Sequence, residues 1–223
     1  MSEELKENAE VTAEMPVEAP ETVPEKKGFF GRNLKFIIPG FILIIALLVG
    51  GLYYSNTRPE KVACKFAIAD REWDYIETQK YLAYDYETYL KNYLGYNDFD
   101  EMLEALGGFD ETVYDTWEEY CEASAEERYF DNEERYGEFT MTAKAKNEKR
   151  ISRKAVMEEI DSEDEGDCAY IESAGFIFDD HDEYKSVDVR VYWKGELENG
   201  STDMRIYLVP QGIGWKVVGS TFL

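Results

Sequence analysis

The sequence predicts an α+β domain that follows one apolar segment near the N-terminus. Three observations support this prediction: an uncharged run over residues 36–54, apolar residues at helical spacing after Pro59, and strict alternation of apolar and polar residues after Gly137. Helices followed by strands are typical of the α+β class. The chain of 223 residues therefore divides into an acidic tail with a basic end, a membrane segment and one domain, over residues 1–35, 36–55 and 59–223.

Charge is spread unevenly along the chain. The first 25 residues contain eight glutamates and one lysine, whereas residues 26–35 contain four basic residues and no acidic one. From Arg58 onward, 40 acidic residues outnumber 19 basic ones, which gives a formal net charge of −21. Phosphate binding needs a basic surface, so we expect no nucleic-acid partner. A hydrophobic fraction of 44% is still sufficient for a folded core.

The apolar run has the properties of a transmembrane helix. It carries no charge and approaches the roughly 20 residues that an α-helix needs to cross a bilayer. More basic residues precede the run than closely follow it, which places the N-terminus in the cytoplasm and the domain outside the cell membrane. The tail, EMPVEAPETVPEKK, has no apolar period and is expected to be disordered. The alternative is a cleaved signal peptide with Gly50 and Gly51 at the cleavage site.

The three cysteines, Cys64, Cys121 and Cys168, lack a metal-binding spacing. An odd count without a C-x-x-C pair argues against a zinc ribbon, a redox motif and a disulfide framework. We interpret the cysteines as small buried side chains, and a bridge between Cys121 and Cys168 is the alternative.

The first half of the domain is predicted to be helical. Pro59 suits the first turn of a helix, and the apolar residues after it are spaced by four and three, which puts them on one stripe: Val62, Phe66, Ala69, Trp73 and Ile76. A second stripe ends at Gly95 and consists of Tyr86, Tyr89, Leu90, Tyr93 and Leu94.

Two further helices are predicted before Gly137. Asp98 and Glu101 form a capping box for a helix that ends at residues 107–108. The next helix is predicted to start at Asp110, to break near Ser124 and to end at about Arg135.

After Gly137 the period changes from helical to alternating. Phe139, Met141 and Ala143 alternate with polar residues, as on a half-buried strand. A short helix over about residues 152–160 follows, and three further strands are predicted over about residues 184–194, 202–209 and 215–222. Their connections, GELENGS and PQGIG, are short and rich in turn residues, so these strands should form an antiparallel meander.

This order of elements resembles the NTF2-like (cystatin-like) superfamily. The resemblance covers residues 59–223 and rests on VACKFAIADREWDYIETQKYL, on FTMTAKAK with the KAVMEEI helix after it, and on DMRIYLVPQGIGWKVV. It implies paired opening helices that separate at Asp70 and pack into the concave side of a curved antiparallel sheet, which forms a cone. Membrane-anchored domains of this kind are familiar in extracytoplasmic proteins of Gram-positive bacteria, and the arrangement is also similar to VirB8-type secretion scaffolds.

Catalytic members of that superfamily use acids and histidines inside the cone. The single histidine of this chain, His181, lies in FDDHDEY, which we interpret as a solvated loop, and a catalytic or metal-binding role is the alternative. Asp70 is expected either to face the mouth of the cone or to cap a helix. The sequence contains no nucleophile elbow, phosphate loop or paired-cysteine metal site.

The segment DSEDEGDCAYIE, residues 161–172, has the layout of an EF-hand calcium loop. Acids occupy loop positions 1, 3, 5 and 12, and Gly166 occupies position 6. The predicted calcium ligands are Asp161, Glu163, Glu165, Asp167 and Glu172. The alternative is an acidic loop whose spacing matches by chance in a domain rich in carboxylates. No other cofactor is expected.

The sequence is enriched in tyrosine, with 17 residues, and YLAYDYETYLKNYLGY holds many of them. Such residues are typical of amphipathic helices with a partly wet core, or of a platform for a carbohydrate or peptide. Because catalytic motifs are lacking, we expect a non-enzymatic binding or scaffolding module at the outer face of the cell membrane, with a protein, peptide or cell-wall ligand and self-association as a further option. The alternatives are a VirB8-like secretion or conjugation scaffold, and an isomerase or dehydratase whose acids have raised pKa values inside the cone.

Overall fold

The computed structural model describes residues 57–108 and 113–223. The predicted acidic tail and membrane segment, residues 1–55, lie outside these ranges. Within the ranges, no helix combines the length and the apolar character that crossing a membrane requires.

The described chain is an α+β fold, as the sequence predicts. Its first helices are α1 (Pro59–Arg71), α2 (Tyr75–Gln79), α3 (Tyr86–Leu94), α4 (Phe99–Gly108) and α5 (Trp117–Tyr136). They are followed by β1 (Phe139–Ile151), α6 (Arg153–Ile160), α7 (Asp167–Ser173) and a 3₁₀ turn (Phe178–Asp180). The chain closes with β2 (Tyr184–Gly195), β3 (Asn199–Gln211) and β4 (Gly214–Phe222).

The first two helices separate around Trp73, beyond the predicted break at Asp70. Trp73 has a φ of 54°, in the left-handed region that bulky residues rarely adopt, and the guanidinium carbon of Arg128 lies 4.8 Å from its ring centroid. Asp74 then caps α2, because its Oδ1 accepts a hydrogen bond from the Glu77 N–H at 2.8 Å. Asp70 stays inside α1, so the prediction that it marks the break is wrong.

The next two helices begin and end where the sequence predicts. Asp85 caps α3, because its Oδ1 accepts a hydrogen bond from the Thr88 N–H at 2.8 Å, and α3 ends at Gly95, whose φ is 80°. In α4, the Oδ1 of Asp98 accepts a hydrogen bond from the Glu101 N–H at 2.8 Å. Local capping patterns therefore locate both helices.

The helix α5 differs from its prediction in its start and in its continuity. It begins at Trp117, where the Oγ1 of Thr116 accepts a backbone hydrogen bond at 3.2 Å, and not at Asp110, which lies outside the described residues. The predicted break near Ser124 is also wrong. Ser124 donates its hydroxyl to the Tyr120 carbonyl at 2.9 Å, a bond along the helix that leaves α5 continuous.

The four strands form one antiparallel sheet in the order β1-β2-β3-β4. Val189 in β2 lies opposite Ala145 in β1 and Met204 in β3, which defines the register. The last three strands are thus the predicted meander. The strand β1 continues past its predicted end to Ile151, with a bulge between Ala145 and Glu148. Its charged second half suits the exposed edge of a sheet.

The two faces of the sheet carry different side chains. Val187 and Val189 are fully buried on one face of β2, and α1, which contacts all four strands, packs over this apolar face. Arg205 and Tyr207 lie on the opposite face of β3, and both reach Glu159 of α6, at 3.3 and 2.5 Å. The sheet therefore lies between α1 and α6.

The helix α7 is one that the sequence does not predict. It occupies the second half of the acidic segment that the sequence predicts to be a loop, so the loop prediction is wrong for residues 167–172. Gly166, with a φ of 95°, precedes the helix, and the Oδ1 of Asp161 accepts a hydrogen bond from the Cys168 N–H at 2.9 Å. Cys168 and Ile171 are buried. Burial of this side of α7 outweighs the loop-like composition of the segment.

Candidate functional site

A cavity of about 160 Å³ lies beside β4, among side chains from α1, α2, α3, α6 and α7 and from the segment between α2 and α3. Its walls are partly apolar, with Phe66 from α1 and Leu82 from the connecting segment. Most of its polar lining consists of two carboxylates, three tyrosines and one threonine: Asp70, Asp167, Tyr84, Tyr86, Tyr89 and Thr78.

Backbone contacts hold the segment between α2 and α3 against the sheet. Leu82 pairs with Val217 of β4 in a parallel bridge, and the two backbone hydrogen bonds beside it measure 2.8 Å. Gln79 clamps the same segment, because its side chain donates to the Tyr84 carbonyl at 3.0 Å and accepts from the Tyr86 N–H at 2.6 Å. These contacts fix the positions from which Tyr84 and Tyr86 enter the cavity lining.

Asp167 and Tyr89 join α7 to α3 at the cavity. The Tyr89 hydroxyl donates to the Oδ1 of Asp167 at 2.7 Å, although the residues are 78 positions apart in sequence. Burial raises the pKa of the Asp167 carboxyl, the hydrogen bond from Tyr89 opposes this rise, and the acids Asp164 and Asp161 add to it. Asp167 therefore exchanges its proton at a higher pH than an ordinary aspartate does.

Asp70 supplies the second carboxylate, from the last turn of α1. Its Oδ2 accepts hydrogen bonds from the Nε and Nη2 of Arg71, at 3.0 and 2.7 Å. Its Oδ1 accepts no hydrogen bond within the described part of the chain. The structure shows Asp70 in the cavity lining and not as a helix cap, so the capping role is wrong and a position at the mouth of a cone stays a prediction.

Thr78 is the unusual member of this group. Its side chain is buried, with 3% exposure, and its Oγ1 has no hydrogen-bond partner among the described residues. Burying a hydroxyl without a partner costs about 1–3 kcal/mol. Thr78 belongs to the cavity lining, but this oxygen is closed off from the space, so a group bound there would not reach it without a shift of the side chain. The sequence analysis missed Thr78, since a single threonine in a short helix carries no distinguishing pattern.

Aromatic rings extend from the cavity in an unbroken series, with neighbouring centroids 5.3 to 6.3 Å apart. The main series consists of Tyr170, Tyr93, Tyr89, Tyr86, Tyr75, Trp117, Tyr120 and Tyr114, and Tyr84 branches from Tyr89. Burial raises the pKa of Tyr84 and Tyr86 well above the ordinary value, so both hydroxyls stay neutral at physiological pH. The tyrosines thus act as a partly wet core, and three of them also line the cavity.

The arrangement allows two kinds of chemistry. Two carboxylates and aromatic faces attract a cation, and neutral tyrosine hydroxyls can donate hydrogen bonds to an oxygen. The raised pKa of Asp167 beside the Tyr89 hydroxyl is also the arrangement that a proton transfer needs. A small polar ligand fits either use.

A larger depression of about 640 Å³ lies over α6, but it is a weaker candidate. It is lined mostly by exposed charged side chains, among them Arg153, Glu158 and Asp179. Arg153 and Asp179 already form an ion pair at 2.7 Å. Exposed charges with partners gain little from a ligand, because water and ions compete for them.

His181 lies outside the cavity lining. Its ring stacks on Phe176, with centroids 5.0 Å apart and an angle of 8° between the planes, and meets Tyr184 edge-on. The histidine follows the 3₁₀ turn, as a loop residue should, but it packs against aromatic rings and is only partly solvated. The interpretation as a loop residue is confirmed, and the ring is solvated on part of its surface only.

The predicted calcium ligands have other partners in the structure. Asp161 accepts a hydrogen bond from a backbone N–H of α7. Glu163 accepts one from a backbone N–H of β4, and Asp167 accepts one from a tyrosine hydroxyl of α3. Glu165 is exposed in the turn, and Glu172 lies on α7. In the described part of the chain, no group of three or more His, Cys, Asp or Glu side chains is arranged to hold a metal ion. Calcium binding by this segment stays a prediction.

All three cysteines are free thiols. Cys121 and Cys168 are buried and Cys64 is partly buried, so the interpretation as small buried side chains holds and the alternative bridge is not formed. Burial raises the pKa of the Cys121 thiol to about 12, which leaves it unreactive at neutral pH.

Comparison with known proteins adds no family to this description, and the NTF2-like resemblance stays a prediction. No protein-family model matches the chain, and neither a search of curated proteins nor a search of solved structures returned a match.

Proposed function

We propose that this chain is a membrane-anchored binding module that holds a polar group of a protein, peptide or cell-wall ligand in the cavity beside β4, outside the cytoplasm and without catalysis. The observation that carries the proposal is the lining of this cavity, where the carboxylates of Asp70 and Asp167 lie among tyrosines and the Oδ1 of Asp70 accepts no hydrogen bond within the described residues. A polar group bound there could donate to this oxygen, while the tyrosine rings would contact the apolar part of the same ligand. A VirB8-like scaffold would be the same module with a protein partner.

The NTF2-like cone is part of the same proposal. It is supported by α1, which packs across the sheet, and by the order in which β1, two helices and then β2, β3 and β4 follow one another. The resemblance places a site between the opening helices and the sheet. The cavity lies in such a position, because α1 and β4 both line it.

Binding is tested with the full chain in nanodiscs. Small polar molecules, short peptides and cell-wall fragments are screened for a raised midpoint of thermal unfolding, since a ligand that binds only the folded state stabilises it. Asp70→Asn keeps the size of the side chain and removes its charge, so it should lose most of any shift.

Asp100→Asn is the matched control for that variant. Asp100 also carries a carboxylate, but it is exposed on α4 and does not line the cavity. A shift that survives Asp70→Asn, or that Asp100→Asn abolishes equally, contradicts binding in the cavity.

The anchored and extracytoplasmic part of the proposal has its own test. Protease added to intact cells should digest the domain, and alkaline carbonate should leave the intact chain in the membrane. A domain that survives the protease, or a chain that is washed off, overturns this part without touching the cavity.

A pocket enzyme of the isomerase or dehydratase kind is the second candidate. Asp167 favours it, because a carboxyl of raised pKa can take and return a proton, and the Tyr89 hydroxyl holds it in place. A neutral hydroxyl of Tyr84 or Tyr86, which also line the cavity, would donate to a developing oxyanion. The test is exchange of C–H for C–D in small carbonyl compounds incubated with the protein in D₂O. Exchange that disappears in Asp167→Asn would make the chain an enzyme, whereas an absence of exchange favours the binding module.

A further inference from the structure

We propose that a second cavity, between α5 and the turn at Trp73, binds the ring of a neutral sugar. This cavity measures about 200 Å³ and shares no lining residue with the cavity beside β4. It is lined by Glu72, Asp74, Ala125, Tyr129, Asn132 and Phe139. The proposal goes beyond the function proposed above, because it concerns a separate site with its own test.

Two acidic residues reach this cavity from the turn between α1 and α2. Glu72 and Asp74, the neighbours of Trp73 in sequence, both line it, and the backbone of Trp73 is left-handed, with a φ of 54°. Arg128 joins this turn to α5. Its guanidinium carbon lies 4.8 Å from the Trp73 ring centroid, and its Nε donates a hydrogen bond to the Arg71 carbonyl at 3.3 Å. The acidic side chains are therefore positioned before a ligand binds.

Asn132 is the observation that points to a ligand. It is only 5% exposed, yet its side-chain amide makes no hydrogen bond within the described part of the chain. The fully enclosed polar atoms without a partner belong to Thr78, Ser186 and Trp193, and the amide of Asn132 is not one of them. Its Oδ1 and Nδ2 are thus open to the cavity that Asn132 lines, where a ligand atom can contact them. A buried amide needs partners for its donors and its acceptor, and a ligand with both kinds of group supplies them.

The polar groups of the lining favour a neutral ligand with several hydroxyls. No lining residue is basic, and the charge of Asp74 adds to burial in raising the pKa of Glu72, so an anion would be repelled. A simple cation would satisfy a carboxylate but would offer no acceptor to the Nδ2 of Asn132. A hydroxyl both donates and accepts, so neighbouring hydroxyls of one sugar ring satisfy a carboxylate and the amide together.

The aromatic walls suit the apolar face of a sugar ring. Ala125, Tyr129 and Asn132 are spaced by four and three residues, so they share one side of α5. The ring centroid of Tyr129 lies 5.6 Å from that of Phe139, with 35° between the planes. Tyr129 is 50% exposed, so its ring offers apolar surface that the C–H groups of a sugar can cover.

The volume limits how much of a ligand can enter. At about 200 Å³, the cavity is smaller than the roughly 300–1,000 Å³ that encloses a drug-sized molecule. One sugar ring can occupy it while the remainder of a longer glycan stays outside. A free sugar and one unit of a glycan share this chemistry.

The test is saturation-transfer NMR on the full chain in nanodiscs of uncharged lipid. The probes are the methyl glycosides of glucose, galactose, mannose and N-acetylglucosamine. We expect at least one of them to bind roughly fivefold or more tightly than methyl glucuronide, an anion of the same shape, and than cyclohexylamine, a cationic ring without hydroxyls. The disaccharide of the best unit is the second arm. Tighter binding of the disaccharide identifies a glycan chain, and equal binding identifies a free sugar.

Variants assign the binding to named side chains. Asn132→Leu removes the amide at similar size and should weaken binding roughly fivefold or more. Its midpoint of thermal unfolding should equal or exceed that of the wild type, because the amide has no partner to lose. Tyr129→Ala should weaken binding to a similar extent. Phe130→Ala is the matched control, because Phe130 is 56% exposed but does not line the cavity, and its effect should stay within about twofold.

The outcomes separate this site from the cavity beside β4. If no glycoside binds, or if Asn132→Leu and Tyr129→Ala both bind as the wild type does, the site is overturned. If cyclohexylamine or an alanine residue blocked at both termini binds more tightly than every glycoside, the sugar is overturned. If Asn132→Leu lowers the unfolding midpoint, a loss of binding in Tyr129→Ala but not in Phe130→Ala still supports the site. Asp70→Asn should leave sugar binding within about twofold, and a larger loss would place the sugar in the cavity beside β4.

Discussion

The interior of the sheet and the tyrosine-rich helices bury side chains of opposite character. Val189, Ile206 and Leu208 are fully buried and aliphatic, so they carry no polar group that needs a partner. In α3 no residue is fully buried, and Tyr86 and Tyr89 stack while the Tyr89 hydroxyl bonds a carboxylate. The side chains that stabilise the domain and the cavity that we propose to bind a ligand therefore lie in different parts of it. Aliphatic packing leaves no room for a ligand, whereas the polar ends of the tyrosines adjoin a space that a ligand can enter.

The cavity lies at the boundary between these two regions. On its sheet side, a β-carbon added at Gly219 would come within 2.7 Å of the Cδ1 of Ile160, so this wall is tightly packed. On its helical side, Tyr86 and Tyr89 are only partly buried. Changes to the sheet should therefore alter the stability of the whole domain, and changes to the tyrosine layer should alter the cavity first.

Removal of an aliphatic side chain from the sheet is the strongest test of this division. Ile206→Ala deletes a fully buried side chain whose neighbours can collapse only partly, so we expect the free energy of unfolding to fall by about 2–5 kcal/mol. Leu197→Ala is the control, because Leu197 is 72% exposed, and its effect should stay within about 0.5 kcal/mol. Urea unfolding followed by circular dichroism measures both. A similar loss of unfolding free energy in the two variants would contradict the division between the sheet interior and the tyrosine layer.

Most elements were predictable because their signals lie between near neighbours in sequence. Ser152 illustrates this, since its Oγ accepts a hydrogen bond from the Ala155 N–H at 3.2 Å and starts α6 where the sequence predicts. The alternation of Val187 and Val189 with polar residues predicts β2 from neighbouring residues in the same way. The left-handed backbone of Trp73 has no such signal, since no local pattern marks it and its ring contacts Arg128, which is distant in sequence.

The site was not predictable by the same means. Tyr89 and Asp167 meet across 78 positions, and no periodic pattern relates them. From the sequence, Asp167 is predicted only as a calcium ligand in a loop. In the structure it begins α7 and accepts a hydrogen bond from the Tyr89 hydroxyl of α3. The density of tyrosines after Tyr81 was the one local signal that pointed to this region. Which hydroxyl lacks a partner follows from tertiary packing alone, as Thr78 shows.

A change at the tyrosine layer should have an intermediate effect. Tyr89→Phe keeps the ring and its stacking on Tyr86 but removes the donor to Asp167, so we expect a loss of about 1 kcal/mol in the free energy of unfolding. Tyr129→Phe is the control, because the Tyr129 side chain is 50% exposed, and little change is expected. We also expect Tyr89→Phe to raise the pKa of Asp167, because the hydrogen bond that lowers this pKa is gone, and NMR titration measures the change. An unchanged pKa would show that the bond is not formed in solution.

The polar face of the sheet should show the smallest effect, and one that depends on pH. Burial opposes ionisation of Asp188, but hydrogen bonds from Arg205 at 2.8 Å and Asn147 at 3.1 Å outweigh it, so its pKa lies below the ordinary value. A depressed pKa gives stability that is present above the unfolded-state pKa of about 3.9 and is lost as the pH falls through the folded-state pKa. Asp188→Asn should therefore cost about 1 kcal/mol or less at pH 7, because the ion pair is partly exposed.

The pH dependence distinguishes this electrostatic contribution from a packing defect. In acid, where Asp188 is protonated in both states, the wild type and Asp188→Asn should unfold at the same urea concentration. Asp100→Asn, at an exposed position on α4, should match the wild type at every pH. A loss of stability in Asp188→Asn that persists in acid would mean that the side chain acts through packing. In that case the polar face of the sheet would stabilise the domain through packing, as the aliphatic face does, and the two faces would not differ in this respect.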